Sequence, residues 1–186
     1  MRRRFPTLVL ALALTLPLVF SSTSSAGTVV AMSLNQMIDR ADSIFTGRVV
    51  GQRAEWNADR TKIHTFVTLE VEDYLKGGTG SRVTTVRLLG GRVGRYIAHL
   101  PGNPQFEVGE DVLLFCAGTQ ARIPSVLGLS LGKFRITADR SGERYIQRDI
   151  STLMRKGYST ASRRPGDPVN RYRLADVTER IAEHQR

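Results

Sequence analysis

The stretch Ile63-His64-Thr65-Phe66-Val67-Thr68-Leu69-Glu70-Val71-Glu72 decides the fold. Ile63, Thr65, Val67, Leu69 and Val71 fall on one side of an extended chain, and His64, Thr68, Glu70 and Glu72 on the other. A period of two sustained over five cycles is the signature of a strand with one buried and one wet face; a helix would scatter the same residues around its circumference. The strand is expected over 62–75, and Lys76-Gly77-Gly78-Thr79-Gly80-Ser81 ends it in a turn.

Strand signals continue on both sides. Upstream, Ile44-Phe45-Thr46-Gly47-Arg48-Val49-Val50 reads as a first strand with Gly47 at a bulge or bend, joined to the second through a polar connection over 55–60. Downstream, 82–89 resumes the alternation, and 90–104 is a Gly- and Pro-rich segment around a short strand over 96–99. Val112-Leu113-Leu114-Phe115-Cys116-Ala117 is apolar enough for a central strand, and a further strand is expected over 125–128. Lys133 to Thr137 and Arg144 to Arg148 alternate on either side of a turn and form a hairpin.

Helical signals are confined to the two ends of this region. Ser33 and Gln36 make a capping box, followed by Leu34, Met37, Ile38 and Ala41 at helical spacing. Leu174, Val177, Thr178 and Ile181 predict a C-terminal helix that docks on the strands. The expected organisation is a β domain over 33–150, then a basic linker and the C-terminal helix over 151–186. Short strands, Gly-rich turns and one helix at each end predict a mainly β fold, an all-β barrel or compact sandwich.

The chain opens with Met1-Arg2-Arg3-Arg4, an apolar stretch from Leu8 to Phe20, and Ser24-Ser25-Ala26. A basic region, a short apolar core and small residues in that order predict a cleavable signal peptide over 1–26. Thirteen apolar residues span about 20 Å as a helix, against about 30 Å of hydrocarbon, so no transmembrane span is expected after cleavage. The protein is expected to be exported, to the periplasm or the medium. The chain carries 27 lysines and arginines against 17 acids, and three of those arginines lie in the signal segment, leaving a net of +7. Such a surface suits an anionic envelope polymer or an acidic protein. Nucleic acid is not expected in an exported protein without basic–aromatic interleaving. Cys116 is the one cysteine, so no internal disulfide forms, and its apolar surroundings predict a buried thiol.

Several segments carry a resemblance. Ala41-Asp42-Ser43-Ile44-Phe45-Thr46-Gly47-Arg48-Val49, the long strand ending Tyr74-Leu75-Lys76-Gly77, Phe106-Glu107-Val108-Gly109-Glu110 before Leu113-Leu114-Phe115, and Gly132-Lys133-Phe134 together resemble the netrin-module/tissue-inhibitor-of-metalloproteinases superfamily over about residues 34–137. The chain is also similar to small exported bacterial proteins of unknown function. The resemblance implies an oligosaccharide/oligonucleotide-binding (OB)-type β-barrel and interaction with a secreted protease. It does not carry over the inhibitors' zinc-chelating N-terminal cysteine or their disulfides, for which this sequence has no residues.

The sequence shows no catalytic set. Gly128-Leu129-Ser130-Leu131-Gly132 satisfies G-x-S-x-G, but a strand follows it where a nucleophile elbow needs a helix, so a glycine-punctuated β-turn is expected. His64, His99 and His184 stand at no metal-ligand spacing. Glu107, Glu110 and Asp111 cluster at a turn as weak calcium candidates. No cofactor or metal is expected. Trp56 in a polar connection, with Arg92, Arg95, Tyr96 and His99 in the Gly-rich segment, is the candidate binding surface. The expected function is therefore a non-enzymatic exported binding protein, its partner a secreted protease or an envelope component. The alternative is a small secreted hydrolase using Ser130.

Overall fold

The structure is a computed structural model that describes residues 32–78, 80–118, 123–148 and 171–186. The signal segment over 1–26 and the basic linker over 151–170 lie outside the described residues. The fold is mainly β. In chain order it runs α1 (Leu34–Arg40), β1 (Ser43–Trp56), β2 (Ile63–Lys76), β3 (Val83–Leu89), β4 (Gly91–Val93), β5 (Tyr96–Ala98), β6 (Asp111–Ala117) and β7 (Ser125–Val126). A 3₁₀ turn (Leu129–Gly132), β8 (Lys133–Ala138), β9 (Arg144–Arg148), β10 (Arg171–Arg173) and α2 (Leu174–His184) complete it.

The principal sheet is antiparallel in the order β10-β9-β8-β6-β1-β2-β3, with β7 paired to β6. It does not close into the expected barrel. Among the described residues one backbone hydrogen bond joins β3 to the residue that precedes β7, from Arg87 N to Pro124 O at 2.8 Å. The reason lies in β7, which is two residues long, ends in the 3₁₀ turn and so offers β3 almost no edge to pair with.

The apolar run of β6 is buried on both faces, which explains why it does not alternate. Leu113 and Phe115 join Ile44, Phe134, Ile136 and Ile146 on one side, where Met37 and Ile38 of α1 and Leu174, Val177 and Ile181 of α2 cover them. Val112, Leu114 and Cys116 join Phe45, Val49, Val67, Leu69 and Val86 on the other. Two cores therefore share one pair of central strands. Each large aliphatic side chain in them contributes about 2 kcal/mol by leaving water, before the cost of ordering it.

β1 is fourteen residues long and serves both cores by bending. Its register to β2 shifts at three places, one of them between Thr46 and Gly47. Gly47 is required there, because a Cβ would lie 2.5 Å from the Glu70 carbonyl oxygen.

Both helices are tied to the end of β2. The Ser33–Gln36 capping box holds the first turn of α1, with Ser33 N donating to Gln36 Oε1 and Gln36 N to Ser33 Oγ. Lys76 Nζ donates to the Ile38 carbonyl at 2.6 Å and caps its end. Seven residues would not hold as an isolated helix, so the caps and the burial of Met37 and Ile38 are what keep α1 formed. Gln185 Nε2, just past α2, donates to the Leu75 carbonyl at 2.6 Å. Among the described residues no helix is long and apolar enough to cross a membrane.

Candidate functional site

Trp56 closes β1, where sequence reading placed it in a connecting loop. It pairs with Ile63 across the strands. The turn beyond it is fixed by Asn57, whose Oδ1 accepts from Thr61 N at 2.8 Å and Lys62 N at 2.9 Å. The strand ends are therefore rigid, and Trp56 is held in place by backbone pairing.

The Gly-rich segment folds over this end as a second, two-stranded sheet of β4 and β5. Gly90 N donates to the Ile63 carbonyl at 2.7 Å, and Thr65 Oγ1 donates to the Gly90 carbonyl at 2.8 Å. Gly91 has φ +137° and lies flat on Ala54 and Thr65, and a Cβ there would overlap Thr65 Oγ1. Only glycine allows the hairpin to approach so closely.

The hairpin's two faces divide the five expected site residues. Tyr96, paired with Val93, meets the Trp56 ring edge-to-face with centroids 5.5 Å apart. Arg95 lies over the same tyrosine ring, its guanidinium carbon 5.2 Å from the centroid, and donates to the Tyr96 hydroxyl at 3.1 Å. Trp56, Arg95 and Tyr96 form one cluster. Arg92, paired with Ile97, belongs to the opposite face of the hairpin and, with the exposed His99, lines a cavity of about 350 Å³. The five residues fall into two adjoining groups.

Sequence reading missed Arg53 and Phe66. They are cross-strand partners on the outer face of β1 and β2, with the guanidinium carbon 5.0 Å from the ring centroid. Phe66 is buried on the face expected to be wet; its only sequence signal was an apolar residue at an even-numbered position of that strand. His64 stands beside it, its rings 6.4 Å from Phe66. Burial, together with the charges of Arg87 and Lys62, lowers the His64 pKa below its ordinary value and favours the neutral imidazole.

Several carboxylates elsewhere are occupied by arginine or lysine. Arg48 grips Asp111 through two bonds of 2.7 and 2.8 Å, and Arg144 grips Glu72 through two of 2.7 Å. These guanidinium bonds hold both carboxyls below their ordinary pKa values. Glu110 is buried against Lys133 at 2.7 Å and Arg135 at 2.9 Å. The turn read as a weak calcium candidate thus has Glu110 and Asp111 committed to cations of the chain itself, and no metal-binding group of three ligands occurs among the described residues.

Ser130 lies in the 3₁₀ turn between β7 and β8, not in the β-turn expected for it. It is 3% exposed, and its Oγ has no hydrogen-bond partner among the described residues. A nucleophile would need both access and a base within hydrogen-bond reach. Cys116 is fully buried, and burial pushes its thiol pKa up to about 12, which keeps it protonated and unreactive. No protein-family model matches the chain, and no curated protein matches it.

Proposed function

We propose that this protein is an exported, non-catalytic binding module whose contact surface is built around Trp56, Arg95 and Tyr96. The observation that carries the reading is the packing of Tyr96 on Trp56, with Arg95 laid over the tyrosine. Tyr96 stays half exposed. Large aromatic and arginine side chains held rigid at an exposed position are the residues that dominate macromolecular contacts. Among the described residues neither Arg92 nor Arg95 forms an ion pair, which suits an anionic partner in the exported space, a secreted protein or an envelope polymer. The burial of Ser130 favours binding over the hydrolase alternative.

The proposed scaffold is a partly open OB-type barrel. Its support is the circuit β1-β2-β3, the single bond from Arg87 to Pro124, then β7 and β6 back to β1. Kinship with the netrin-module superfamily is proposed for this shape alone, since a zinc-chelating N-terminal cysteine is absent from the sequence.

Capture from envelope extract by the immobilised protein tests the contact surface. The wild type should retain a defined partner that the Trp56→Ala/Arg95→Ala double variant, shown to be folded by circular dichroism, does not. Equal retention by both proteins would refute the surface.

A further inference from the structure

The outer face of β1, β2 and β3 carries a row of charge that the Trp56 cluster does not use. Directly opposed residues of an antiparallel pair share a face, and the register sets Arg53 opposite Phe66 and Phe66 opposite Arg87. The two arginines thus stand on either side of one phenylalanine, their Cα atoms about 10 Å apart across two strand spacings. Phe66 is buried yet belongs to neither apolar core. What lies on it is the Arg53 guanidinium, 5.0 Å from the ring centroid. The ring holds that arginine flat on the sheet, so little of its freedom is left to lose on binding.

The flanking rows set the character of the face. Glu55, His64 and Leu89 form the row on one side, and Gly51, Thr68 and Thr85 the row on the other. Glu55 is the one carboxylate in the three rows, and it reaches Arg53 only at 3.5 Å. The Arg87 side chain is exposed and has no ion pair among the described residues. After burial, the charges of Arg87 and Lys62 are what hold the His64 pKa down, so the positive field extends over the neighbouring row. The helices pack over Ile44, Phe134 and Ile146 instead, and Arg53, Arg87 and Leu89 remain exposed.

We infer that this face docks an acidic, extended segment of a partner protein. Carboxylates on alternate residues of such a segment project to one side about 7 Å apart, within reach of the two long arginine stems. Each guanidinium fork takes one carboxylate through paired N–H groups. Leu89, 41% exposed and two residues along β3 from Arg87, offers an apolar contact to a side chain of the segment, which a sugar polymer would leave unused. Gly51 and the two threonines keep the floor low on the other side, so the segment lies close. Side chains alternate along β1, so Trp56 points away from the face that carries Glu55 and Arg53, and this docking surface stands apart from the Trp56 cluster.

The test is fluorescence anisotropy with the full chain and three labelled probes: the capped peptide Ala-Asp-Leu-Asp-Leu-Ala, its Asn counterpart and polygalacturonate. The acidic peptide should bind saturably, and the Asn peptide about tenfold more weakly or worse. Arg53→Gln/Arg87→Gln should weaken the acidic peptide by about fivefold to tenfold. Arg140→Gln/Arg180→Gln removes the same charge from exposed positions in the β8–β9 turn and on α2, and should change the affinity by less than about twofold. Equal losses in the two double variants would reduce the effect to net charge and overturn the proposal. Equal binding of the two peptides, or no saturable binding of the acidic one, would overturn it as well. Binding of polygalacturonate without the acidic peptide would also sink it, by assigning the face to a sugar polymer.

Discussion

Glu72 on β2 and Arg144 on β9 grip each other through two hydrogen bonds of 2.7 Å, although β1, β6 and β8 lie between their strands in the sheet. Such a contact requires the sheet to curl until strands four places apart face one another. Twist supplies the curl, and the bends in β1 add to it.

Both side chains of this pair are partly exposed, so solvent screens it. Glu72→Gln should cost about 0.5–1 kcal/mol near neutral pH. Its bond to Arg144 depresses the folded-state pKa below the ordinary 4.5, so the contribution is complete above 4.5 and disappears as the pH falls through the folded value. Urea melts of wild type and variant should therefore converge as the pH is lowered below 4.5. A constant difference between them down to pH 2 would contradict the assignment.

Lys133 and Glu110 are a different case. Their side chains are 6% and 3% exposed and the bond between them is 2.7 Å, with the Lys133 ammonium also 4.6 Å from the Phe106 ring centroid. Lys133→Met should destabilise the fold by about 3–5 kcal/mol, because Glu110 keeps its buried charge with one cation fewer. Lys133→Met/Glu110→Leu should lose less than the two single variants combined. Denaturant midpoints of the four proteins measure the coupling directly, and strict additivity would rule out a paired role.

Gly91 and Gly94 both have positive φ but differ in surroundings. Gly94 faces open space, so Gly94→Ala should cost about 1 kcal/mol of backbone strain and leave the hairpin in place. Gly91→Ala should lift the hairpin off Ala54 and Thr65 and release Tyr96 from Trp56. Trp56 is the sole tryptophan, so its emission should shift to the red in Gly91→Ala and stay unchanged in Gly94→Ala.

Ser130 buries a hydroxyl that has no hydrogen-bond partner among the described residues. Replacing it with alanine removes an unsatisfied polar group at the expense of one small atom. Ser130→Ala should be neutral or stabilise the protein by about 1 kcal/mol in thermal or urea melts. A loss of more than about 1 kcal/mol would reveal a hydrogen bond formed in solution.

Much of the scaffold could be read directly from the residues. The Ser33–Gln36 cap, the alternation of β2, the apolar run of β6 and the spacing of Leu174, Val177 and Ile181 each gave an element that the structure contains. These signals are local: a side chain's face follows from the period of its own element, with no partner needed. The departures came where burial depended on another strand. Phe66 is covered by Arg53 from β1, and the expected strand over 125–128 stops at Val126 because the chain turns into the buried Leu129–Gly132 segment.

The sequence by itself determined the principal strands, though not β4 or β10, together with the two helices, the lone cysteine and the excess of basic residues over acids. It also put Arg92, Arg95, Tyr96 and His99 on one Gly-rich segment as candidates for a binding surface. Only the tertiary structure decided that Trp56 meets Tyr96 forty positions away, that Arg92 and His99 turn to a separate cavity, and that Arg144 reaches Glu72. It also left the sheet open, where sequence reading expected a barrel or compact sandwich. Side-chain alternation specifies which face of a strand is buried. Which strand lies opposite, and whether the last edges meet, depends on how far twist and bulges curl the sheet around two cores.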